Sequence, residues 1–483
     1  MVSKSMCRQG IISLFFLLSY AVSNAQLKTS YTARGSYIAF TKEFTATYKD
    51  QTAQEFPDSL YIPNRHLVKR INAKRHAFLV SEVQKGAYVK DDSLENFVNS
   101  VLLNLVEATP SLDNHYRKIF IKRSLQANAS CYGRGLFMAN IGLIGRIENE
   151  DQLAFVVAHE MAHDELGHIR ERILLEASTN LSLKTKEQLK KIMAGEIEPE
   201  EIEELRNLIY GVTKHSRENE LKADSMAIVL INNAGYDVDE AISALSMIEY
   251  SLKPKRPIDV DLFLPFDAIE YPFKIEWLDE QLSLYNKDRS EISFIGLKDS
   301  VDTHPEIEFR IQELHLKKNA SHKSVQYQDS EFANSCIELA EFETVETAYL
   351  QKKYDWSLFY AMQLLNRYPK NAYLISRIGK IFSTLYTSKN SGTFNFYVSR
   401  YTGYYSNELR WVSNFLKNLT KKELGDVAFY FLSNPNNFNE MNKSHYYNLI
   451  EICELTERDD VKKRTEQTFK KVFGKSIGNY TFE

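Results

Sequence analysis

The chain has 483 residues, 43% of them hydrophobic and 26% charged, with a formal net charge of −4. That length exceeds what one compact core organises, so two or three domains are expected. The balance is that of an ordinary globular protein and lacks the basic excess of a nucleic-acid-binding chain.

In chain order, Lys4 and Arg8 precede an apolar stretch from Ile11 to Val22, and Ser23-Asn24-Ala25 sets small residues before Gln26. This is the pattern of a secretory signal peptide over residues 1–25, and it predicts an exported protein, periplasmic or extracellular. Cleavage after Ala25 removes two basic residues and no acidic one, so the net charge of −4 becomes about −6. No later stretch holds the roughly 18 apolar residues of a membrane span, so none is expected in the mature chain. Cys131, Cys336 and Cys453 are odd in number and far apart, and are expected as buried thiols rather than a disulfide framework.

Residues 26–70 read as an N-terminal arm. A helical pattern starts at Leu67, and a second follows Asp91, with Leu94, Phe97, Val98, Val101, Leu102 and Leu105 at helical spacing and Pro110 beyond its end. Arg117 to Ser124 alternates apolar and charged residues, which predicts a half-buried strand. Gly133-Arg134-Gly135 is a turn signal, followed by a second short strand and a loop. Asn149 with Gln152 three residues on has the form of a capping box opening a helix. Residues 181–212 are rich in Lys and Glu and predict a solvated helical hairpin. Pro254, Pro257, Pro265 and Pro272 predict an irregular loop over 252–275. From about Asn334 the pattern is helical and rich in Tyr, Phe and Leu. One helix ends near Tyr368-Pro369 and the next starts at Asn371-Ala372, with Ala361 and Gly379 where paired helices approach closely. This resembles a degenerate tetratricopeptide-type hairpin.

The chemistry is concentrated in His159-Glu160-Met161-Ala162-His163, at the end of the helix-compatible run Leu153 to Ala158. Residues i and i+4 share a helix face, so both imidazoles can reach one ion. Glu160 lies one residue round, placed to take a proton from a water attacking a carbonyl without itself ligating the metal. Composition alone gives H-E-x-x-H about 0.02 times in such a chain. A third ligand is needed. Leu166, Gly167, His168 and Ile169 lack the further Gly and His that a metzincin would place there. Ser216 to Asp224 offers Glu220 as ligand, with Asp224 on the same helical face to orient a bound His, and the small Ala223 for close packing. His168 reads as structural, and His66, His76, His115, His215 and His322 have no ligand spacing.

With these motifs the chain resembles the gluzincin family of the type I CAAX prenyl proteases, a bacterial heat-shock membrane protease and soluble periplasmic relatives. The resemblance rests on Asn128-Ala129, on Gly142-Leu143, and on Glu148 through His163. It rests also on Ser216-Arg217 with Glu220 and Ala223-Asp224, and on Thr303-His304-Pro305 with Arg310-Ile311. It covers roughly residues 75–318. It implies one Zn2+ per chain, peptide-bond hydrolysis, and substrate added as a strand near residues 128–140, beginning at Asn128 and Ala129. It further implies that His304 lies near the metal as oxyanion stabiliser or switchable ligand, and that Arg310 braces Asp224 or Glu220. Cys131 and Tyr132 depart from the family pattern on that strand, and Cys131 reads as a small buried hydrophobe.

The expected fold is α+β and mainly α. A zincin-type metalloprotease domain with a small mixed sheet spans 71–330, and an all-α helical-hairpin domain spans 331–483. The expected function is a secreted or periplasmic zinc endopeptidase acting on protein substrates, misfolded envelope proteins among them, with the helical domain docking protein partners. The alternative is a chaperone-like or assembly module with a latent zinc site, against which the intact Glu160 argues. No nucleic acid is expected as partner.

Overall fold

The computed structural model describes residues 30–36, 46, 49–50, 55–56, 61–112, 117–179, 217–249, 260–280, 307–318, 331–399, 406–438 and 440–474. The signal-peptide segment, the 181–212 hairpin and His304 fall outside them. The chain divides into two compact units. One holds residues 34–250 and 284–337; the other holds 1–33, 251–283 and 338–483. The fold is α+β and mainly α, with a small mixed sheet.

The first unit opens with β1 (Gly35–Ser36), α1 (Arg65–Gln84), β2 (Val89–Lys90) and α2 (Asp92–Glu107). Asp91 caps α2 by accepting from the Leu94 amide at 2.9 Å. The α2 residues Leu94, Phe97, Val98, Val101, Leu102 and Leu105 are all buried. The sheet follows as β3 (Lys118–Lys122), β4 (Ala129–Gly133) and β5 (Leu136–Asn140). Its order is β3-β5-β4, with β3 parallel and β4 antiparallel to the central β5.

The strand in 117–124 is present, but Ile119, Phe120 and Ile121 are all buried rather than alternating. Phe120 joins a cluster with Leu79, Val83, Tyr88, Leu136 and Met138, while α2 packs on the sheet as well, so both faces of β3 are covered. Asn99 of α2 also satisfies β3 at Ile119, accepting from its amide at 2.9 Å and donating to its carbonyl at 3.1 Å. That closes one edge of the sheet.

Gly133, Arg134 and Gly135 all take positive φ (93°, 51° and 78°), which makes the β4–β5 connection abrupt. A bulge lies between Cys131 and Gly133. The expected loop after β5 begins as a short helix, α3 (Ile141–Ile144). Gly142 is required there, because a Cβ would sit 2.3 Å from the Leu125 carbonyl oxygen. Next come α4 (Glu150–Glu165), α5 (His168–Thr179), α6 (217–233), α7 (Glu240–Glu249) and α8 (Ile307–Lys318).

In the second unit, α9 (Glu331–Leu350), which starts in the first unit, is followed by α10 (Tyr354–Arg367), α11 (Ala372–Ser391), α12 (Asn407–Asn418), α13 (Lys421–Ser433), α14 (Lys443–Leu455) and α15 (Asp459–Phe473). Gly379 of α11 faces Leu432 and Asn448, and a Cβ there would lie 2.8 Å from the Leu432 side chain. Of the Pro-rich stretch 252–275 expected as irregular, residues 252–259 lie outside the described ones; the remainder holds a 3-10 turn at Val260–Phe266, and a second follows at Ile275–Leu278. Phe263, Phe266, Phe273 and Trp277 pack on Phe415, and Phe266 also meets Phe382 and Phe431, so burial of these rings orders residues 260–278 despite Pro265 and Pro272. Cys131, Cys336 and Cys453 are free and buried. Among the described residues no helix is long and apolar enough to cross a membrane.

Candidate metal centre

The centre is built on α4, and α4 is fixed at both ends. At its start Asn149 accepts from the Gln152 amide at 2.9 Å, and the Gln152 side chain accepts from the Glu148 amide at 2.9 Å. The Gln152 amide group also donates to Glu240 of α7 at 2.9 Å, so the capping pair doubles as an interhelical tie. At its end Asp164 accepts from the Gly135 amide at 2.7 Å and Glu165 pairs with Arg117, which pins the last turn to the sheet. Leu153 to Ala158 are buried, and this apolar run carries His159 and His163 out at the last turns.

Three donor atoms converge. The Nε2 atoms of His159 and His163 are 3.0 Å apart. Glu220 of α6 reaches each with one carboxylate oxygen at 3.4 Å. These donor atoms all lie within 4.8 Å of one another. Tetrahedral ligation at about 2.0–2.1 Å separates neighbouring donors by about 3.3 Å. Two nitrogens and a carboxylate oxygen at the observed spacings fit zinc.

Each imidazole is held from behind. His159 Nδ1 lies 2.9 Å from Asp224. Asp224 is clamped by Arg310 of α8, with Nε at 2.8 Å and Nη2 at 2.7 Å, and a third Arg310 nitrogen lies 3.5 Å from Glu220. His163 Nδ1 lies 2.9 Å from His168 Nδ1 at the start of α5. A neutral imidazole uses one nitrogen as donor and the other as acceptor, so an outer partner on Nδ1 leaves Nε2 as the ligating lone pair. The structure thus gives His168 a partner beyond the structural role expected of it. The signal was its position directly after the Leu166-Gly167 turn, where Gly167 at φ 71° starts a new helix and returns the chain toward His163.

The electrostatics follow this wiring. Burial opposes charge on His159, but hydrogen bonds to Asp224 and Glu220 outweigh it and push its pKa up to about 10 when no metal is bound. Burial would raise Asp224, yet Arg310 and His159 hold it at about 2. Burial, then the neighbouring His163 and Lys222, pull His168 down to about 4, so it is neutral at pH 7 and its Nδ1 can accept a hydrogen bond from the Nδ1–H of His163.

Glu160 is half-buried and lies within electrostatic reach of Cys131 on β4 and of Arg310. Burial, with the Asp164 and Glu160 carboxylates nearby, pushes the Cys131 thiol well up, which keeps it protonated and unreactive. β4 is the outer strand of the sheet on the α4 side, and no further strand pairs with it among the described residues. Asn128 is exposed just before it, with its carbonyl accepting from the Asn140 amide at 3.0 Å, and Ala129 is buried as its first residue.

Sequence comparison gives the class: residues 92–318 match peptidase family M48. The matched segment lies within the roughly 75–318 stretch over which the sequence resembles that peptidase family, and it spans a little under half of the chain. Peptidases of the family are zinc-dependent. A curated relative is the beta-barrel assembly-enhancing protease of Escherichia coli O157:H7, 24% identical over 183 residues. The match covers 37% of this chain and 37% of the relative, so the chain aligns with little more than a third of that protein.

Proposed function

We propose that the chain is an exported zinc endopeptidase that hydrolyses peptide bonds of protein substrates in envelope protein quality control. The observation that carries this reading is the convergence of His159, His163 and Glu220 on one point beside an outer β-strand, with Glu160 alongside. Zinc bound by those three residues would supply Lewis-acid polarisation of a substrate carbonyl and of a water molecule. Glu160 takes the proton from the attacking water and delivers it to the leaving amine. Asp224 holds His159 in register and Arg310 holds Asp224, while His168 does the same for His163. Substrate lies extended along β4 from Asn128 and Ala129, adding a strand by backbone hydrogen bonds. His304 is assigned to the oxyanion or to a switchable ligation by family resemblance.

Export is read from the n-region, apolar stretch and small residues of the first 25 positions. The envelope role rests on that leader together with the relative's name, and the helical unit is assigned to docking protein partners. The domain limits proposed are 1–25, 26–70, 71–330 and 331–483.

The test is cleavage of an unfolded protein by the purified full chain, with and without a chelator. The expected result is activity lost to chelation and restored by zinc, and a fall of about 10²–10⁴-fold in Glu160→Gln. No cleavage by the zinc-loaded wild type, with the phenotype of the intact protein unchanged by Glu160→Gln, would point instead to a binding module with a latent site.

A further inference from the structure

The helical unit contains a built pocket that the peptidase reading does not use. Tyr31, from the segment before β1, inserts its side chain between α9 and α11. Its ring stacks on Phe342 with centroids 5.3 Å apart, and meets the edge of Tyr373 at 4.7 Å. Its hydroxyl donates to Glu343. Glu343 and Phe342 are both 0% exposed. The pocket wall is itself fixed: the Tyr373 hydroxyl donates to Glu346 at 2.7 Å, and Arg377 pairs with Glu346 at 2.6 Å while lying 3.9 Å over the Tyr349 ring.

The manner of insertion is that of a ligand. Tyr31 is 5% exposed, whereas the following Thr32 and Ala33 are exposed. One buried side chain is thus followed by two exposed residues, before the backbone is held again at Arg34, whose carbonyl accepts from Arg123 at 2.8 Å, and at β1, which pairs with β2. An aromatic slot ending in a buried carboxylate selects for a ring that carries a hydroxyl donor. Phenylalanine would fill the slot but lose the hydroxyl's hydrogen bond to the buried Glu343 carboxylate, and losing a bond to a charged group is costly.

We infer that this pocket is a tyrosine-recognition site for extended polypeptide segments, and that Tyr31 is its resident occupant in cis. The ligand class is a protein segment presenting a tyrosine among small polar residues, as in Ser30-Tyr31-Thr32. Such a segment on a partner protein binds by displacing the chain's own arm. The inference stands on the second unit alone and does not depend on the metal centre.

The test uses the full chain and a dye-labelled peptide of residues 30–36, with a second peptide in which tyrosine is replaced by phenylalanine. Binding is read by fluorescence anisotropy to wild type and to Tyr31→Ala, with melting curves showing that the variant is folded. The tethered arm presents Tyr31 at an effective concentration on the order of millimolar, so wild type should bind the tyrosine peptide at least about tenfold more weakly than the variant. The phenylalanine peptide should bind the variant about tenfold more weakly than the tyrosine peptide. If Tyr31→Ala does not fold, Tyr31→Phe keeps the ring, weakens the cis contact, and takes its place with the same two peptides. The inference is overturned if no saturable binding to the folded variant is found, if both peptides bind equally, or if wild type and variant bind the tyrosine peptide alike.

Discussion

The metal centre and the aromatic core of the helical unit solve the same problem in opposite ways. Both join helices distant in sequence. The centre does so with charge: Glu220 and Asp224 on α6, Arg310 on α8 and two imidazoles on α4 form one buried polar network. The helical unit does so with rings: Phe263, Phe266 and Trp277 bury against Phe382, Phe415 and Phe431. A polar network is directional and leaves a charged group uncompensated when one member is removed. A ring cluster is tolerant of geometry and loses contact area and shape instead. Function and stability are therefore coupled in the first region and separable in the second.

The largest expected effect follows from breaking the network. Asp224→Asn removes the carboxylate that clamps the buried Arg310 and leaves it only the more distant Glu220, 3.5 Å away, which should cost about 3 kcal/mol of stability. It also slackens His159, so zinc affinity should fall about 10–100-fold. Denaturant melts and metal titrations of the same preparation check both, and a variant with wild-type stability but weak zinc binding would uncouple what the comparison joins.

Phe266→Ala should cost about 3–4 kcal/mol by leaving a void among Phe382, Phe415 and Phe431. Its zinc content should stay that of wild type, as measured by metal analysis on folded protein. A loss of zinc without unfolding would show that the two regions are not separable.

The smallest expected effect is at Glu423. It closes the capping box of α13 with Thr420 and accepts from Lys274 at 3.0 Å and Trp277 at 3.3 Å. Burial would raise its pKa, but the Thr420 amide, Lys274 and Trp277 outweigh that and bring it from 4.5 to about 2. A depressed carboxyl stabilises the fold above its unfolded pKa and loses that contribution as pH falls through the folded one. Glu423→Gln should therefore lower stability by about 1 kcal/mol near neutral pH. The gap to wild type should shrink as pH drops from about 4.5 toward 2, which paired thermal melts over that range read directly.

What was legible in the sequence follows the same division. Helical spacing places His159 and His163 on one face, and caps such as Asp91, Asn149 and Asn371 mark where their helices start. These are local signals, fixed by backbone geometry within a few residues. Periodicity does not encode which distant helix packs on α4: Glu220 and Asp224 are offered by the need for a third ligand and by their helical spacing, made specific by resemblance to a family, and the Arg310 brace rests on that resemblance alone. It also did not show that Phe263 and Phe266 order a Pro-rich stretch, since a ring's burial is set by neighbours more than a hundred positions away. The alternation read in β3 failed for a related reason: α2 on one face and the Leu79–Tyr88 cluster on the other bury residues that a two-sided strand would have exposed. The reading of His168 missed its partner because a His–His contact across a turn has no spacing rule.

Metal content of three purified full-length proteins tests the central claim most directly. Wild type and Glu160→Gln should each hold about one zinc per chain, and Glu220→Gln should hold well under a tenth of that after equal dialysis. Full zinc occupancy in folded Glu220→Gln, or loss of zinc in Glu160→Gln, would contradict the assignment of His159, His163 and Glu220 as the ligands and Glu160 as the base.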